Sequence, residues 1–103
     1  MYKLEYLPVA LKDMLAIVRY IRLELYNPDA ANRLALELVD AAENVLNFPY
    51  TSPVYQPIRP LKHEYRKIPV QNFLMFYWVD EEKKLVTIAR AVYAKRDFRQ
   101  LLE

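Results

Sequence analysis

The side chains that could do chemistry in this chain are concentrated in its second half. Residues 49–103 contain ten Lys and Arg residues against six Asp and Glu, whereas residues 1–48 contain five against seven. An uncharged run, Phe73–Val79, lies between two basic segments, Arg59–Lys67 and Arg90–Arg99. A basic surface of this kind favours an acidic partner, either a nucleic acid or an acidic segment of another protein.

His63 is the only histidine, and histidine is the side chain best suited to acid–base catalysis near neutral pH. Its place between Lys62 and Glu64 is equally typical of a surface residue, so both interpretations stay open. The chain has no second His and no Cys that would give the ligand spacing of a metal site. We therefore expect no metal and no other cofactor.

Arg66, Arg90 and Arg96 are the best candidates for binding. Arg90 alternates along a predicted strand with Val86, Ile88 and Val92, so part of its stem is expected to be buried. A buried guanidinium needs a carboxylate or several carbonyl groups, which leaves two alternatives: an internal ion pair, or contact with a partner. Arg96 and its neighbour Asp97 could likewise form a local ion pair at the start of a final helix.

Composition narrows the class of protein. With 103 residues, of which 54% are hydrophobic and 27% charged, residues 1–103 are expected to form one globular domain. The absence of Gly excludes the Gly-rich phosphate loops of P-loop and Rossmann proteins. The absence of Cys fits a reducing cytoplasm, and no apolar run reaches the roughly 18 residues of a membrane span. We expect a cytoplasmic protein without a membrane partner.

The first half predicts a short strand at 2–6 followed by two helices, the first of which starts at or near Pro8. Apolar residues at steps of three and four place one set on the inner face of the first helix, with Arg22 inside the stripe and Asp13, Tyr20 and Glu24 roughly opposite. Asn27 and Pro28 predict the start of the second helix, and so short a link predicts an antiparallel hairpin. The predicted inner residues are Leu11, Met14, Leu15, Val18, Ile21 and Leu25 in the first helix, and Ala31, Leu34, Ala35, Leu38, Ala42, Val45 and Leu46 in the second.

The second half predicts a loop and three strands. Four prolines in residues 49–62 indicate an ordered loop, and strands follow at 64–70, 73–80 and 85–93. The uncharged middle strand is expected to be central and buried on both faces. A short helix is predicted at 97–102. The fold class is α+β, in the order β-α-α-β-β-β(-α), with an antiparallel helix hairpin on one face of a small, mostly antiparallel twisted sheet.

Gln71 and Asn72 predict a tight turn between the first two of these strands. Asn tolerates positive φ, so Asn72 is expected to adopt it. Pro69 has no N–H to donate, which predicts an edge position or a bulge for its strand. The turn sets the expected pairs Val70–Phe73, Ile68–Met75 and Arg66–Tyr77.

The order of elements and three segments resemble the RelE/ParE superfamily of bacterial toxins. The segments are Arg66-Lys-Ile-Pro-Val70, Phe73-Leu-Met-Phe-Tyr77 and Ile88-Ala-Arg-Ala-Val-Tyr-Ala-Lys-Arg-Asp97, and the resemblance covers essentially the whole chain. It implies the growth-arresting toxin of a type II toxin–antitoxin system. The implied partner is a small cognate antitoxin whose C-terminal segment wraps the groove and the sheet of the toxin.

The superfamily implies two mechanisms. The RelE type would be a metal-free endoribonuclease that cuts mRNA in the ribosome, whereas the ParE type would be a non-catalytic inhibitor of DNA gyrase. A member that has lost toxicity and survives as a binding partner is a third possibility. Cleavage by a ribose 2′-OH requires a base, an acid and cations around one phosphate.

The resemblance assigns residues to each mechanism. Lys67 and Arg96 lie near the cationic positions of RNA-cleaving members, and with His63 they form the catalytic set if this chain is a nuclease. Leu74, however, stands where many such members have arginine, and the phenol of Tyr93, where many have His, is a poor base. We therefore favour gyrase inhibition, with mRNA cleavage as the alternative. The target- or antitoxin-binding residues expected to share one surface are Arg66, Arg90, Tyr93, Lys95 and Arg96.

Overall fold

Two helices pack on one face of a four-stranded sheet in the computed structural model, which describes residues 1–103. The elements are β1 (Lys3–Tyr6), α1 (Pro8–Arg19), a π-helical turn (Tyr20–Glu24), α2 (Pro28–Val45), β2 (Arg66–Val70), β3 (Phe73–Asp80), β4 (Leu85–Tyr93) and a 3₁₀ helix (Arg99–Leu102). The sheet order is β1-β4-β3-β2, with β1 parallel to β4 and the other neighbours antiparallel. The predicted α+β class and element order are confirmed.

The helix starts follow their sequence signals. Pro8 and Pro28 each occupy the first turn of a helix, where a missing N–H costs nothing. The side chain of Asn27 accepts a hydrogen bond from the N–H of Ala30 at 3.1 Å, which confirms the predicted cap. None of the helices combines the length and the apolar character that crossing a membrane would require.

The β2–β3 hairpin has the predicted register. Val70 pairs with Phe73, Ile68 with Met75 and Arg66 with Tyr77, and β2 lies at the sheet edge as Pro69 requires. The predicted positive φ of Asn72 is wrong, because the turn places it on Gln71, at 53°. The Gln71 side chain donates a hydrogen bond to Glu37 of α2, and this contact anchors the turn to the helix.

β3 is covered on both faces, as predicted for a central strand. Met75 and Tyr77 belong to the cluster between the helices and the sheet, whereas Phe76 belongs to a second cluster on the opposite face. The Pro-rich loop and the 3₁₀ helix cover this second face. The loop also protects the edge of β2, since the N–H of Lys67 donates to the carbonyl of Pro53 at 3.1 Å.

The predicted inner face of the first helix is wrong for Leu11, Leu15 and Leu25, which are 51%, 54% and 55% exposed. Asp13, predicted to lie opposite, is instead half-buried on the side that faces the sheet. The spacing of apolar residues could not decide which face of this helix is buried, because the helix carries apolar residues on two faces. The residues that pack on the core are Ala10, Met14, Ile17 and Ile21.

A β-bulge interrupts the alternation of β4. Tyr77 pairs with Ile88 and Phe76 with Arg90, so that Ala89 is an extra residue on β4. Ile88 consequently packs under the helices, whereas Val92 packs on the opposite face. The predicted shared face of Arg90, Val86, Ile88 and Val92 is therefore wrong, and the bulge redirects the second half of the strand.

Glu81, in the turn between β3 and β4, connects three distant parts of the chain. Its carboxylate accepts hydrogen bonds from Lys84 and from the hydroxyls of Tyr50 and Tyr2, the latter two at 2.7 Å. Lys84 first, and then Tyr50 and Tyr2, lower the pKa of Glu81 to about 2. The same carboxylate raises the pKa of Tyr50 to about 12.

The Glu81 contacts predict a loss of stability in acid. A carboxylate whose pKa is lower in the folded state stabilises the fold above its unfolded pKa, here 4.5, and this contribution disappears as the pH falls towards about 2. We expect Glu81→Gln to lower the stability at neutral pH and to make it less sensitive to acid between those values. Urea unfolding across this range measures both effects. Glu82→Gln, at the neighbouring exposed carboxylate, should match the wild type, and identical acid sensitivity of all three proteins would contradict the prediction.

Candidate functional site

A groove of about 760 Å³ runs between the first helix and the end of the sheet. It exists because β1 pairs with β4 only as far as Ile88, so the rest of β4 has no strand beside it on that side. Tyr20 and Ile21 line the helical wall, and Phe73 and Tyr93 line the sheet wall. The lining is mostly apolar, as expected for a site that holds an amphipathic ligand.

Asp13 and Arg90 form an ion pair at this groove. The carboxylate of Asp13 accepts from Nε and Nη2 of Arg90 at 2.7 and 2.9 Å, and from the N–H of Ala91 at 3.1 Å. The third contact satisfies a backbone donor on the unpaired edge of β4. Of the two alternatives for Arg90, the structure shows the internal ion pair. Arg90 therefore serves to hold the groove wall together.

Arg96 is the free cation of the groove. The predicted pair with Asp97 is wrong, because Asp97 accepts from Arg99 at 3.0 Å, a contact that lowers the pKa of Asp97 to about 2. Arg96 and the exposed Lys95 take part in none of the five ion pairs of the chain. The N–H of Arg96 donates to the carbonyl of Tyr93 at 3.0 Å, which fixes the turn that brings Arg96 to the groove.

Arg66 lies at the other end of β2 from the groove. It donates to the carbonyls of Tyr50 and Ser52 at 3.0 and 2.8 Å, and its guanidinium lies 5.1 Å from the centre of the Tyr50 ring. These contacts pin the Pro-rich loop to the sheet. The expectation that Arg66 shares one surface with Arg90 and Arg96 is therefore wrong. Tyr93 and Arg96 both line the groove, and Arg90 is connected to it by its ion pair with Asp13, which is also a lining residue.

The three candidate nuclease residues are not brought together either. Lys67 pairs with Phe76 and so projects from the face of the sheet that is opposite the helices. The ring of His63 is stacked on Trp78 of that same face, with the ring centres 3.7 Å apart, and burial lowers its pKa. Arg96 belongs to the groove on the helical side.

Sequence reasoning missed the helical wall of the groove. Tyr20 is 56% exposed and lines the groove, whereas the helical periodicity predicted only that it lies opposite the apolar stripe. Asp13 was missed as the partner of Arg90 because the two residues lie 77 positions apart. The available signal was the excess of large apolar residues around the first helix, more than one buried stripe requires.

Comparisons with known proteins agree with this fold. A family model described as the ParE toxin of the type II toxin–antitoxin system parDE matches residues 4–98. No curated protein sequence matches the chain.

Solved toxin structures share the same architecture. The chromosomal ParDE toxin–antitoxin system from P. aeruginosa contains a chain that is 18% identical, with a TM-score of 0.71 over 92% of this chain and 98% of that one. The toxin–antitoxin complex RelBE2 from Mycobacterium tuberculosis gives 18% identity and a TM-score of 0.62 over 89% and 96%. A mutant of the E. coli toxin RelE in the free state is 17% identical, with a TM-score of 0.65 over 98% of this chain and 92% of that one. At these identities the likeness establishes the fold.

Proposed function

The chain belongs to the ParE toxin family of type II toxin–antitoxin systems, and we propose that it arrests growth by inhibiting DNA gyrase without catalysing a reaction. The observation that carries this proposal is the separation of the candidate nuclease residues. Lys67 projects from the face of the sheet that is opposite the helices, whereas Arg96 lines the groove on the helical side, and the ring of His63 is stacked on Trp78. General acid–base cleavage needs its groups within hydrogen-bond reach of one phosphate, which this arrangement does not favour.

The cognate antitoxin is proposed to bind in the groove. The solved ParDE and RelBE relatives are toxin–antitoxin systems or complexes. Here the apolar walls offer Tyr20, Ile21 and Phe73 to the apolar face of a helix or an extended segment. Arg96, which has no internal ion pair, would meet an acidic side chain of that segment.

The gyrase-binding surface is proposed to begin at the mouth of the groove. Tyr93 is 43% exposed there, and Lys95 and Arg96 follow it in a tight turn without ion-pair partners. An aromatic residue beside unpaired cations is a common centre of a protein interface. An antitoxin seated in the groove would cover Tyr93 and Arg96, so antitoxin and gyrase would compete for them. Neutralisation would follow from this competition.

The alternative is a RelE-like endonuclease that cuts mRNA in the ribosome. Lys67 is half-buried on the second face of the sheet, and Arg96 has no internal ion pair. Cleavage would require a rearrangement, or a ribosomal contribution, that supplies the missing acid–base groups to one of these cations.

Expression of the chain without its antitoxin tests the proposal. We expect filamentation, a DNA damage response and inhibition of supercoiling by purified gyrase, with no codon-spaced cuts in ribosome-bound mRNA. Lys67→Ala should remain toxic, because Lys67 lies far from the groove. Cleavage of ribosome-bound mRNA that is abolished by Lys67→Ala or Arg96→Ala would overturn the proposal in favour of the nuclease. Unimpaired growth of cells that express the wild-type chain would overturn it in favour of a member without toxicity.

A further inference from the structure

The last residues of β4 present an unpaired backbone edge to the groove. β1 pairs with β4 only as far as Ile88, and the chain then enters the first helix at Pro8. The side chain of Ala91 packs in the core under the helices, and that of Val92 packs on the opposite face of the sheet. Both residues nevertheless line the groove. Since their side chains leave the strand in opposite directions, the part of β4 that the groove reaches is its backbone edge.

The pairing of β4 with β3 determines which backbone groups point along this edge. The N–H of Ala94 donates to the carbonyl of Asn72 at 2.9 Å, so Val92, two residues earlier, also exchanges its hydrogen bonds with β3. Ala91 and Tyr93 alternate with these residues. Their N–H and C=O groups therefore point away from β3 and towards the groove.

Two of these four backbone groups have partners within the chain. The N–H of Ala91 donates to the carboxylate of Asp13, and the carbonyl of Tyr93 accepts from the N–H of Arg96. The other two groups, the carbonyl of Ala91 and the N–H of Tyr93, have no strand beside them and no hydrogen-bond partner in the chain. One free acceptor and one free donor therefore lie two residues apart on the groove edge of β4.

We propose that an extended segment of the antitoxin pairs with this edge and runs parallel to β4, an inference that rests on the proposed binding of the antitoxin in the groove. In a parallel ladder, one residue donates its N–H to one residue of the neighbouring strand and accepts from the residue two positions further on. A single antitoxin residue opposite Val92 would therefore donate to the carbonyl of Ala91 and accept from the N–H of Tyr93. A bound helix satisfies its own backbone groups and would leave both edge groups unpaired.

Asp13 favours the parallel direction. In an antiparallel pair, the antitoxin residue opposite Ala91 would direct both its N–H and its carbonyl at that residue. Its carbonyl would then meet the carboxylate of Asp13, which already accepts from the N–H of Ala91. Two acceptors without a proton between them are unfavourable. The residue opposite Val92 in a parallel strand avoids this contact, and the pairing begins there because Asp13 and the first helix occupy the edge before it.

The parallel pairing also predicts a pattern in the antitoxin segment. Side chains alternate between the two faces of a strand, so the residues before and after the paired one lie on the face of Ala91 and Tyr93. The apolar walls of the groove, which include Ile21 and Phe73, lie on that face. We therefore expect apolar side chains at the two flanking positions, where they supply the specificity of an added strand.

N-methylation of the antitoxin segment tests the hydrogen bonds. The probes are synthetic peptides that cover the tail of the small protein encoded next to the gene of this chain, and calorimetry measures their binding to the whole chain. N-methylation of one residue should weaken binding about tenfold or more, because it removes the bond to the carbonyl of Ala91. The same change at either flanking residue, whose N–H points away from β4, should alter the affinity by less than about threefold. Sensitivity at several successive residues, or at none, would overturn the inference.

Two substitutions of Tyr93 test the same edge on the toxin. Tyr93→Pro and Tyr93→Ala both remove the ring, but only proline also removes the backbone N–H. That N–H takes no part in the pairing of β4 with β3, so both variants should fold, which urea unfolding checks. The Pro variant should bind the unmodified peptide about tenfold more weakly than the Ala variant. Equal affinity of the two folded variants would overturn the inference, and if the Pro variant does not fold, the N-methylation result decides alone.

Tyr20→Asp, at the helical wall of the groove, separates failure of this pairing from failure of the proposed antitoxin site. If this variant binds the peptide more weakly but N-methylation affects several successive residues, the antitoxin occupies the groove as a helix, and only the strand pairing is wrong. If Tyr20→Asp binds the peptide as tightly as the wild type, the antitoxin binds elsewhere, and both the pairing and the proposed site are wrong.

Discussion

Replacing Asp13 by alanine should lower the free energy of unfolding by about 3 kcal/mol. The substitution leaves the guanidinium of Arg90 without its carboxylate and the N–H of Ala91 without its acceptor. The effect lies at the low end of the range for buried ion pairs, because the two side chains remain 16% and 18% exposed. The end of β4 and the groove wall should lose their fixed position together.

Urea unfolding of a double-mutant cycle measures this coupling. Arg90→Met should lower the free energy of unfolding by less than Asp13→Ala does. In that variant Asp13 keeps its hydrogen bond from the N–H of Ala91, and water can solvate the carboxylate where the guanidinium was. The combined variant should be more stable than the sum of the single effects predicts, because it leaves no charge stranded. Asp40→Ala, at an exposed helical carboxylate, should change stability by less than about 0.5 kcal/mol. Strictly additive costs for Asp13 and Arg90 would contradict the coupling.

The Asp13–Arg90 pair could be predicted from the sequence only in part. The need of Arg90 for a carboxylate could be predicted from the desolvation of a guanidinium in a strand. The identity of that carboxylate could not, because the bulge at Ala89 changes the direction of the strand. A bulge depends on packing against both faces of a sheet, and alternation of residue types does not encode it. The same limit applied to the first helix, which has apolar residues on two faces.

Local features, by contrast, could be predicted well. The register of the β2–β3 hairpin follows from a two-residue turn and from the period of two in side-chain direction. The starts of both helices follow from proline geometry, and the cap of the second follows from the oxygen of Asn27. The contacts of Arg66 could not be predicted in this way, since it donates to carbonyls of the Pro-rich loop, which lies more than ten residues away in the sequence. Prolines lack N–H donors, so carbonyls in such a loop need outside donors that local sequence does not name.

The groove predicts a variant that separates toxicity from neutralisation. Tyr20→Asp should weaken antitoxin binding by about a hundredfold or more while leaving toxicity intact. Tyr20 lines the groove but is 56% exposed in the free chain, so the substitution should not disturb the core. An antitoxin seated in the groove would bury the new carboxylate against Ile21 and Phe73, and an unpaired buried charge is costly.

Calorimetric titration with the cognate antitoxin measures this effect. The candidate antitoxin is a small protein that has a charged amphipathic tail and is encoded by a short reading frame next to the gene of this chain. Tyr26→Asp is the matched control: Tyr26 is 86% exposed, lies outside the groove and has φ of 52°, which Asp tolerates better than Tyr. Cells that carry the antitoxin should survive the Tyr26 variant and die from the Tyr20 variant. Equal antitoxin affinity of the two variants would show that the antitoxin binds elsewhere. Loss of toxicity in Tyr20→Asp alone would instead place gyrase, or another target, in the groove itself.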